Sequence, residues 1–379
     1  MPASLNATPS GERTHIGLFG CRNAGKSSLI NAITGQDLAI VSDYKGTTTD
    51  PVSKAMEILP LGPVLLTDTP GMDDDTDLGQ SRIEKARLVL RSTDIALLVV
   101  DAATGMNDFD RKLLQEIRDR KIPYLVVFNK CDLVPSFTLP EDLKDHSMLV
   151  SAQAGTRIWE LKERISRALG KEEVKKPLLL DLLKPHALVV LVVPCDESAP
   201  KGRLILPQQQ TIRELLDGHC SVLVVQPQEL PAMIRLLGQK ISLVVTDSQA
   251  FHTVNQMVPP EIRLTSFSIL FARYKGQLAP FLEGALKLKD LKDGDPVLIS
   301  EGCTHHRQCN DIGTVKLPNW IRKYSGSRPD FHYSSGKGFP DNLSSFKLVV
   351  HCGACMLNPQ EVAYRQGAAQ KQNVPMTNY

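Results

Sequence analysis

The sequence predicts an α/β protein in three successive parts: a domain over 1–172, a smaller α/β domain over 178–268, and a segment over 269–379 of irregular and helical character. Three observations predict it. Short apolar runs alternate with amphipathic stretches from residue 15 to about residue 170, which is the βαβ pattern of a mainly parallel sheet. The charged, proline-ended stretch GKEEVKKP at 170–177 reads as a linker, and a second βα alternation starts after it. Beyond Leu288 the periodicity fades while Gly, Pro, Ser and Asn become frequent and Cys and His gather, so that part needs an external staple to stay ordered.

In the first part HIGLFG, VLLTD, IALLVVD, YLVVFN and SMLVS are short buried strands. In the second, ALVVLVVP, SVLVVQ, ISLVVTD and IRLTSFS are strands, with helices near 211–216 and 230–237 between them. Hydrophobic residues make up 42% and charged residues 23% of 379, which suits packed globular domains. Net charge is +2, so no global field draws nucleic acid or an anionic membrane, and small ligands and protein partners are favoured. The longest apolar run, ALVVLVV, is far shorter than the roughly 20 residues a membrane helix needs. The polar N-terminal stretch lacks the apolar core of a secretion signal, and a cytoplasmic location is expected. Eight cysteines at irregular spacing then point to metal or redox use rather than a disulfide framework.

The string GCRNAGKS, Gly20 to Ser27, matches G-x-x-x-x-G-K-[ST] and lies between a strand and a helix, the context that motif requires. Gly20 and Gly25 let the backbone curl so that N–H groups face phosphate oxygens, and the helix N-terminus adds partial positive charge. Lys26 reaches the β and γ phosphates and Ser27 binds Mg²⁺, with Ala24 and Ser28 completing the loop. A glycine-rich turn with no ligand would share this string; three further motifs argue against it. Asp68-Thr69-Pro70-Gly71 closes VLLTD, where Asp68 can hold a metal-bound water and the Gly71 N–H can meet the γ-phosphate. Asn129-Lys130-Cys131-Asp132 follows YLVVF: the Asp132 carboxylate can accept two hydrogen bonds from guanine, Asn129 braces the site, and the Lys130 stem lies along the ring. Ser151-Ala152 supplies a backbone N–H toward guanine O6. The nucleotide is therefore GTP, and the first part reads as a P-loop GTPase domain.

Met72 stands where Ras-like enzymes carry a water-orienting Gln, so another element must position the attacking water. Asn23, together with Gly46-Thr47-Thr48-Thr49-Asp50, resembles the potassium-dependent branch of the translation-factor-related GTPases. By that resemblance Asn23 helps hold K⁺ and Thr48 is the Mg²⁺-binding switch threonine. Asn23 as a simple loop stabiliser is the alternative.

Near the C-terminus the chain reads Cys303-Thr304-His305-His306 and later His351-Cys352-Gly353-Ala354-Cys355, with 45 residues separating His305 from His351. A C-x-x-C sets two sulfurs on one turn, and a third soft ligand from a distant segment would close a long loop. Spacing leaves zinc and iron both open. The combination of C-x-H, a distant H-C-x-x-C and a potassium-type GTPase domain resembles HydF, the maturation GTPase and scaffold family of FeFe hydrogenase. The resemblance extends to APKGRLILPQQQTIRELLD at 199–217, typical of that family's dimerisation domain.

It implies that Cys303, Cys352 and Cys355 bind three irons of a 4Fe-4S cluster, the fourth iron being left to a labile ligand or the di-iron precursor. His305 and His351 are either ligands or neighbours that hydrogen-bond the sulfurs; His306 and Cys309 are lesser candidates. It further implies a homodimer or tetramer, a carrier for di-iron cargo, and the hydrogenase apoprotein and radical-SAM maturases as partners. The competing class is a tRNA-modification or ribosome-assembly GTPase with a structural zinc. Cys21, Cys131, Cys195 and Cys220 carry no assigned chemistry, and Arg203, Gln208, Gln209 and Gln210 form either a partner surface or a solvated helix start.

Overall fold

The computed structural model describes residues 8–35, 51–59, 61–71, 77–169, 176–195, 204–302 and 311–379, with the backbone alone over 77–81. Two compact units divide the chain, Met1–Val174 and Lys175–Tyr379.

In the first unit β1 (Thr14–Phe19) turns through the glycine loop into α1 (Lys26–Thr34). A hairpin of β2 (Val52–Ile58) and β3 (Gly62–Asp68) follows, then α2 (Asp77–Arg91), β4 (Ile95–Asp101), α3 (Asp108–Asp119), β5 (Tyr124–Asn129), β6 (Ser147–Leu149) and α4 (Ile158–Ala168). The sheet runs β2-β3-β1-β4-β5-β6, with only the β2–β3 pair antiparallel. Period-two alternation in IALLVVD sends Ile95, Leu97 and Val99 toward α1 and α4, while Ala96, Leu98 and Val100 face α2 and α3. Each such side chain stabilises by roughly 1.5–3 kcal/mol on burial. The strand missed by sequence reading is β2, a largely exposed edge whose polar run VSKAMEI gives no apolar signal.

The second unit holds two sheets. β7 (Leu188–Val192), α5 (Leu206–Asp217), β8 (Ser221–Val225), α6 (Leu230–Leu237), β9 (Ile241–Thr246), α7 (Phe251–Met257), β10 (Leu264–Ser266) and α8 (Phe267–Lys275) come first. Their all-parallel sheet runs β10-β9-β7-β8. Ser266 caps α8 by accepting the Ile269 N–H at 3.2 Å, which ends the run IRLTSFS as a strand at Ser266, two residues earlier than its apolar pattern suggests. Phe267, Leu270 and Phe271 of α8 pack into the core of this sheet. The start of the unit is clamped: the Glu214 carboxylate accepts the N–H groups of Leu178, Leu179 and Leu180 at 2.9–3.0 Å, and Arg273 donates to the carbonyls of Pro177 and Leu178 and to the Asp181 carboxylate.

The remainder departs from the expectation of an irregular and helical C-terminal segment. After α9 (Leu278–Leu286) come β11 (Pro296–Glu301), α10 (Leu317–Ser325), β12 (Asp330–Ser335), β13 (Leu348–His351), α11 (Pro359–Lys371) and β14 (Met376–Asn378). These make a second four-stranded, all-parallel sheet, β12-β11-β13-β14. Leu298 and Val349 face α9 and α11, while Val297, Ile299, Leu348 and Val350 face α10. Strands covered on both faces read as brief apolar runs such as VLIS and LVVH, and turn-rich connections hide their alternation with helices. Among the described residues no helix is long and apolar enough to cross a membrane.

Candidate functional site

The glycine loop leaves the carboxyl end of β1, flanked by β3 and β4, where the strand order reverses and parallel α/β sheets leave a crevice. Gly20 takes φ 137°, and a Cβ there would lie 2.1 Å from the Val99 carbonyl oxygen. Gly25 takes φ 91°, and its Cβ would fall 2.2 Å from Asn129 Nδ2; glycine is the residue that fits both places. Asn23 occupies the left-handed region at φ 59°, exposed at the tip of the loop. Ala24 is buried, and its carbonyl accepts from Asn129 Nδ2 at 3.0 Å. Lys26 is buried, with Nζ donating to the carbonyls of Gly20 at 2.9 Å and Cys21 at 2.8 Å, so the ammonium lies along the inside of the loop.

Ser27 Oγ donates to Asp68 Oδ2 at 2.5 Å, bringing a residue assigned to Mg²⁺ against the one assigned to a metal-bound water. The other oxygen, Asp68 Oδ1, is buried with no hydrogen-bond partner among the described residues. Burial pushes the Asp68 carboxyl up, while the Ser27 hydroxyl and Lys26 ammonium pull it down. An acceptor left over in a buried, acidic pair suits a hard cation with its water shell. Thr69 Oγ1 and the Thr69 N–H both bond the Leu18 carbonyl, which locks the β3 end, and Gly71 beyond it, against β1. Ser28 lies half-buried in the first turn of α1.

The base side is braced by Asn129, whose Oδ1 accepts the Ala152 N–H at 3.0 Å while its Nδ2 holds the phosphate loop. Thus the amide that the sequence aims at guanine O6 is tied to Asn129 here. Ser151 is buried, and its Oγ accepts the Ala154 N–H. Lys130 takes φ 64° and its Nζ lies 2.7 Å from Asp101 Oδ2, a partner the sequence did not reveal. Asp132 sits exposed at the rim, accessible to a base edge. Thr48 and Met72 lie outside the described residues, as do Cys303, His305, His306, Cys309 and Arg203. Gln208 is not a surface residue: it is buried, capping α5 through the Ile205 N–H and donating to Asp247 Oδ2 at 3.1 Å.

The cysteine turn sits at the equivalent place in the third sheet. β11 pairs with β12 on one side and β13 on the other, so β11 and β13 flank the strand-order reversal, and Cys352 directly follows β13. Register sets Ser300 opposite His351, and the Gly302 N–H then reaches Cys352 Sγ at 3.0 Å. The Ala354 N–H adds a second contact to the same sulfur at 3.4 Å. Burial raises both thiols; the two N–H groups and Arg365 oppose this at Cys352, and Lys275 opposes it at Cys355, where Cys352 itself raises further. Half-buried thiols whose ionisation desolvation opposes, with backbone N–H groups aimed at one sulfur, suit a site where a bound metal provides the charge that makes them thiolates. Among the described residues no group of three or more His, Cys, Asp or Glu side chains gathers at metal-binding range.

Behind the turn lies a network that sequence reasoning missed. Arg365 is fully buried, donating to Glu361 Oε1 at 2.9 Å, the Gly336 carbonyl at 2.6 Å and His351 Nε2 at 3.0 Å. A guanidinium only donates, so Nε2 accepts and the His351 Nδ1–H donates to the Cys352 carbonyl at 2.7 Å. Burial and the neighbouring guanidinium depress His351 to about 4. Both ring nitrogens of His351 are thereby engaged, one on the Arg365 guanidinium and one on the Cys352 carbonyl. The i, i+4 spacing of Glu361 and Arg365 was a legible helix pair; its burial was not.

A phosphate loop with its Ser27–Asp68 contact and a guanine-side Asn, Lys and Asp define a P-loop GTPase domain, joined in this chain to two parallel sheets, the second bearing a half-buried cysteine turn. Residues 15–130 match the family model described as 50S ribosome-binding GTPase. Residues 178–276 match the hydrogen maturase F dimerization domain, and 279–379 the hydrogen maturase F tetramerization domain. The chain belongs to the hydrogen maturase F family.

Among curated proteins it is similar to the tRNA modification GTPase MnmE of Desulforamulus reducens, 40% identical over 117 residues, or 31% of this chain and 25% of that protein. MnmE of a Synechococcus strain is 36% identical over 175 residues, 45% of this chain and 37% of its own length. The chain thus spans less than half the length of these relatives. A crystal structure of Aquifex aeolicus Era bound to GDP and AlF4⁻ is 23% identical, covering 59% of this chain and 98% of its own, with a TM-score of 0.38.

Proposed function

We propose that the chain hydrolyses GTP and serves as an iron–sulfur scaffold that holds a di-iron precursor and delivers it to FeFe hydrogenase during maturation. The observation carrying the scaffold half is the contact of the Gly302 N–H with Cys352 Sγ: the residue before Cys303 touches the first sulfur of the C-x-x-C turn. Three sulfurs, Cys303, Cys352 and Cys355, hold a 4Fe-4S cluster in this reading, with one iron left for exchangeable cargo; His305 remains a candidate partner to it. The cluster supplies an iron site onto which cargo docks. The chain's own residues supply burial, N–H donors to sulfur and the bracing of the turn.

On the nucleotide side Lys26 stabilises charge on the β and γ phosphates, Ser27 and Thr48 hold Mg²⁺, Asp68 holds its water, and the Gly71 N–H meets the γ-phosphate. Asp132 selects guanine. Asn23 and the 46–50 segment hold K⁺ in place of the missing water-orienting glutamine, so hydrolysis runs faster in K⁺ than in Na⁺; equal rates in the two salts remove this step. The matched dimerization and tetramerization domains support self-association. The hydrogenase apoprotein and radical-SAM maturases are the partners, and the cytoplasm is the site of action.

The test is anaerobic reconstitution of the wild type beside Cys303→Ser, Cys352→Ser and Cys355→Ser. Loss of iron–sulfur absorbance in all three with GTP hydrolysis intact is the expected result; zinc alone in the wild type overturns it. A second reading, action on tRNA, draws on the 40% identity to MnmE, and a salt-sensitive RNA gel shift would favour it.

A further inference from the structure

Lys275, the last residue of α8, belongs to the helix that packs on the middle sheet, yet its side chain reaches the cysteine turn of the next one. Its Nζ donates to the carbonyls of Ala354 at 3.0 Å, Cys355 at 2.9 Å and Leu357 at 2.6 Å. An ammonium has three donor hydrogens, and here three carbonyls of one short turn accept from it. The side chain is 3% exposed, with Nζ 5.4 Å from the Phe271 ring centroid, which keeps the charge out of water. Ala354 is held at φ 55°, a left-handed conformation that a non-glycine residue adopts only at a cost, and its carbonyl is one of the three that Lys275 grips.

We propose that Lys275 is a positioning residue for the cluster: its ammonium fixes the backbone that carries Cys355 and places a positive charge beside the sulfur ligands. The inference rests on the iron–sulfur reading above. Two consequences separate it from a merely structural lysine. A fixed cation close to a cluster stabilises its reduced, more negative form and raises its reduction potential. Residues that orient metal ligands without binding the metal are typically worth 10–100-fold in metal affinity.

The experiment uses the full chain, reconstituted anaerobically with iron and sulfide, as wild type, Lys275→Met and Lys275→Arg. Readouts are the cluster's potential by redox titration and the rate of iron loss to a chelator. Lys275→Met is expected to lower the potential and to lose iron about tenfold faster. Lys275→Arg keeps the charge and is expected to stay near the wild-type potential even where its longer fork loosens the turn. Wild-type potential and wild-type iron loss in Lys275→Met overturn the proposal. So does faster iron loss in both variants with no change in potential, since that marks a lysine that only packs. If Lys275→Met does not fold, Lys275→Gln is read by the same two criteria. A wild type that takes up no cluster is the distinct failure of the scaffold reading.

Discussion

The phosphate loop and the cysteine turn are built alike and differ in what they leave free. Each follows the carboxyl end of a parallel strand where the strand order reverses, each contains a residue in the left-handed region, and each has a buried lysine bonded to its own carbonyls. Lys26 grips Gly20 and Cys21 from inside the loop, on the side where phosphates sit, so an arriving anion can take the ammonium over. Lys275 grips three carbonyls of the turn that carries the Cys352 and Cys355 sulfurs. The first arrangement suits turnover and the second retention.

The largest test of that contrast is Lys26→Ala. Removing the cation that meets developing charge should cut GTP hydrolysis about 10³-fold, while iron content after reconstitution stays at the wild-type level. Iron loss on this substitution would break the separation of the two sites. Next is Arg365→Met, which leaves the buried Glu361 carboxylate without its partner. Such a loss costs about 3–5 kcal/mol, read as a lower urea midpoint for the second unit, with nucleotide affinity unchanged; an unaltered midpoint would show that the network does not hold the turn. Asp132→Asn removes a charged acceptor, worth about 1.5–3 kcal/mol, so calorimetry should find GTP binding roughly 10–100-fold weaker. Unchanged affinity would put guanine recognition elsewhere.

The smallest effect concerns the clamp on residues 177–181. Arg273 holds the Asp181 carboxyl below its usual 3.8, so the contact adds stability that is complete above that pH and fades as the pH drops through the folded value. Thermal melts of Asp181→Asn should therefore run slightly below wild type at neutral pH and merge with it in strong acid. A gap that persists in acid would mean that something other than this charge pair is at work.

The nucleotide site was legible because its chemistry is local: GCRNAGKS, Asp68 to Gly71 and Asn129 to Asp132 each sit on one strand end, and the apolar run before each announces the strand. Its internal bracing was less so, since Lys130 meeting Asp101 depends on the adjacency of β4 and β5. The cysteine turn was legible as C-x-x-C, but the sheet that carries it was not, because VLIS and LVVH are too short to separate from loop hydrophobics. Lys275 gave no signal at all, and Arg365 gave only its i, i+4 spacing to Glu361, not its burial. A basic residue in a helix reads as solvent-facing until tertiary packing covers it, and that covering comes from segments about 80 and 65 positions away in the chain.

One further consequence follows from the pairing of β11 with β13. The amide that steadies the Cys352 sulfur belongs to Gly302, separated from it by |i−j| of 50, and the two meet only after these strands have zipped in register. A zinc-finger-like site gathers its ligands from one short hairpin and can nucleate folding; this one is completed by a long-range parallel pairing, the slow kind to form. On the proposed iron–sulfur reading, metal capture is therefore a late event in the life of the chain, taking place on a finished sheet rather than on a nascent one.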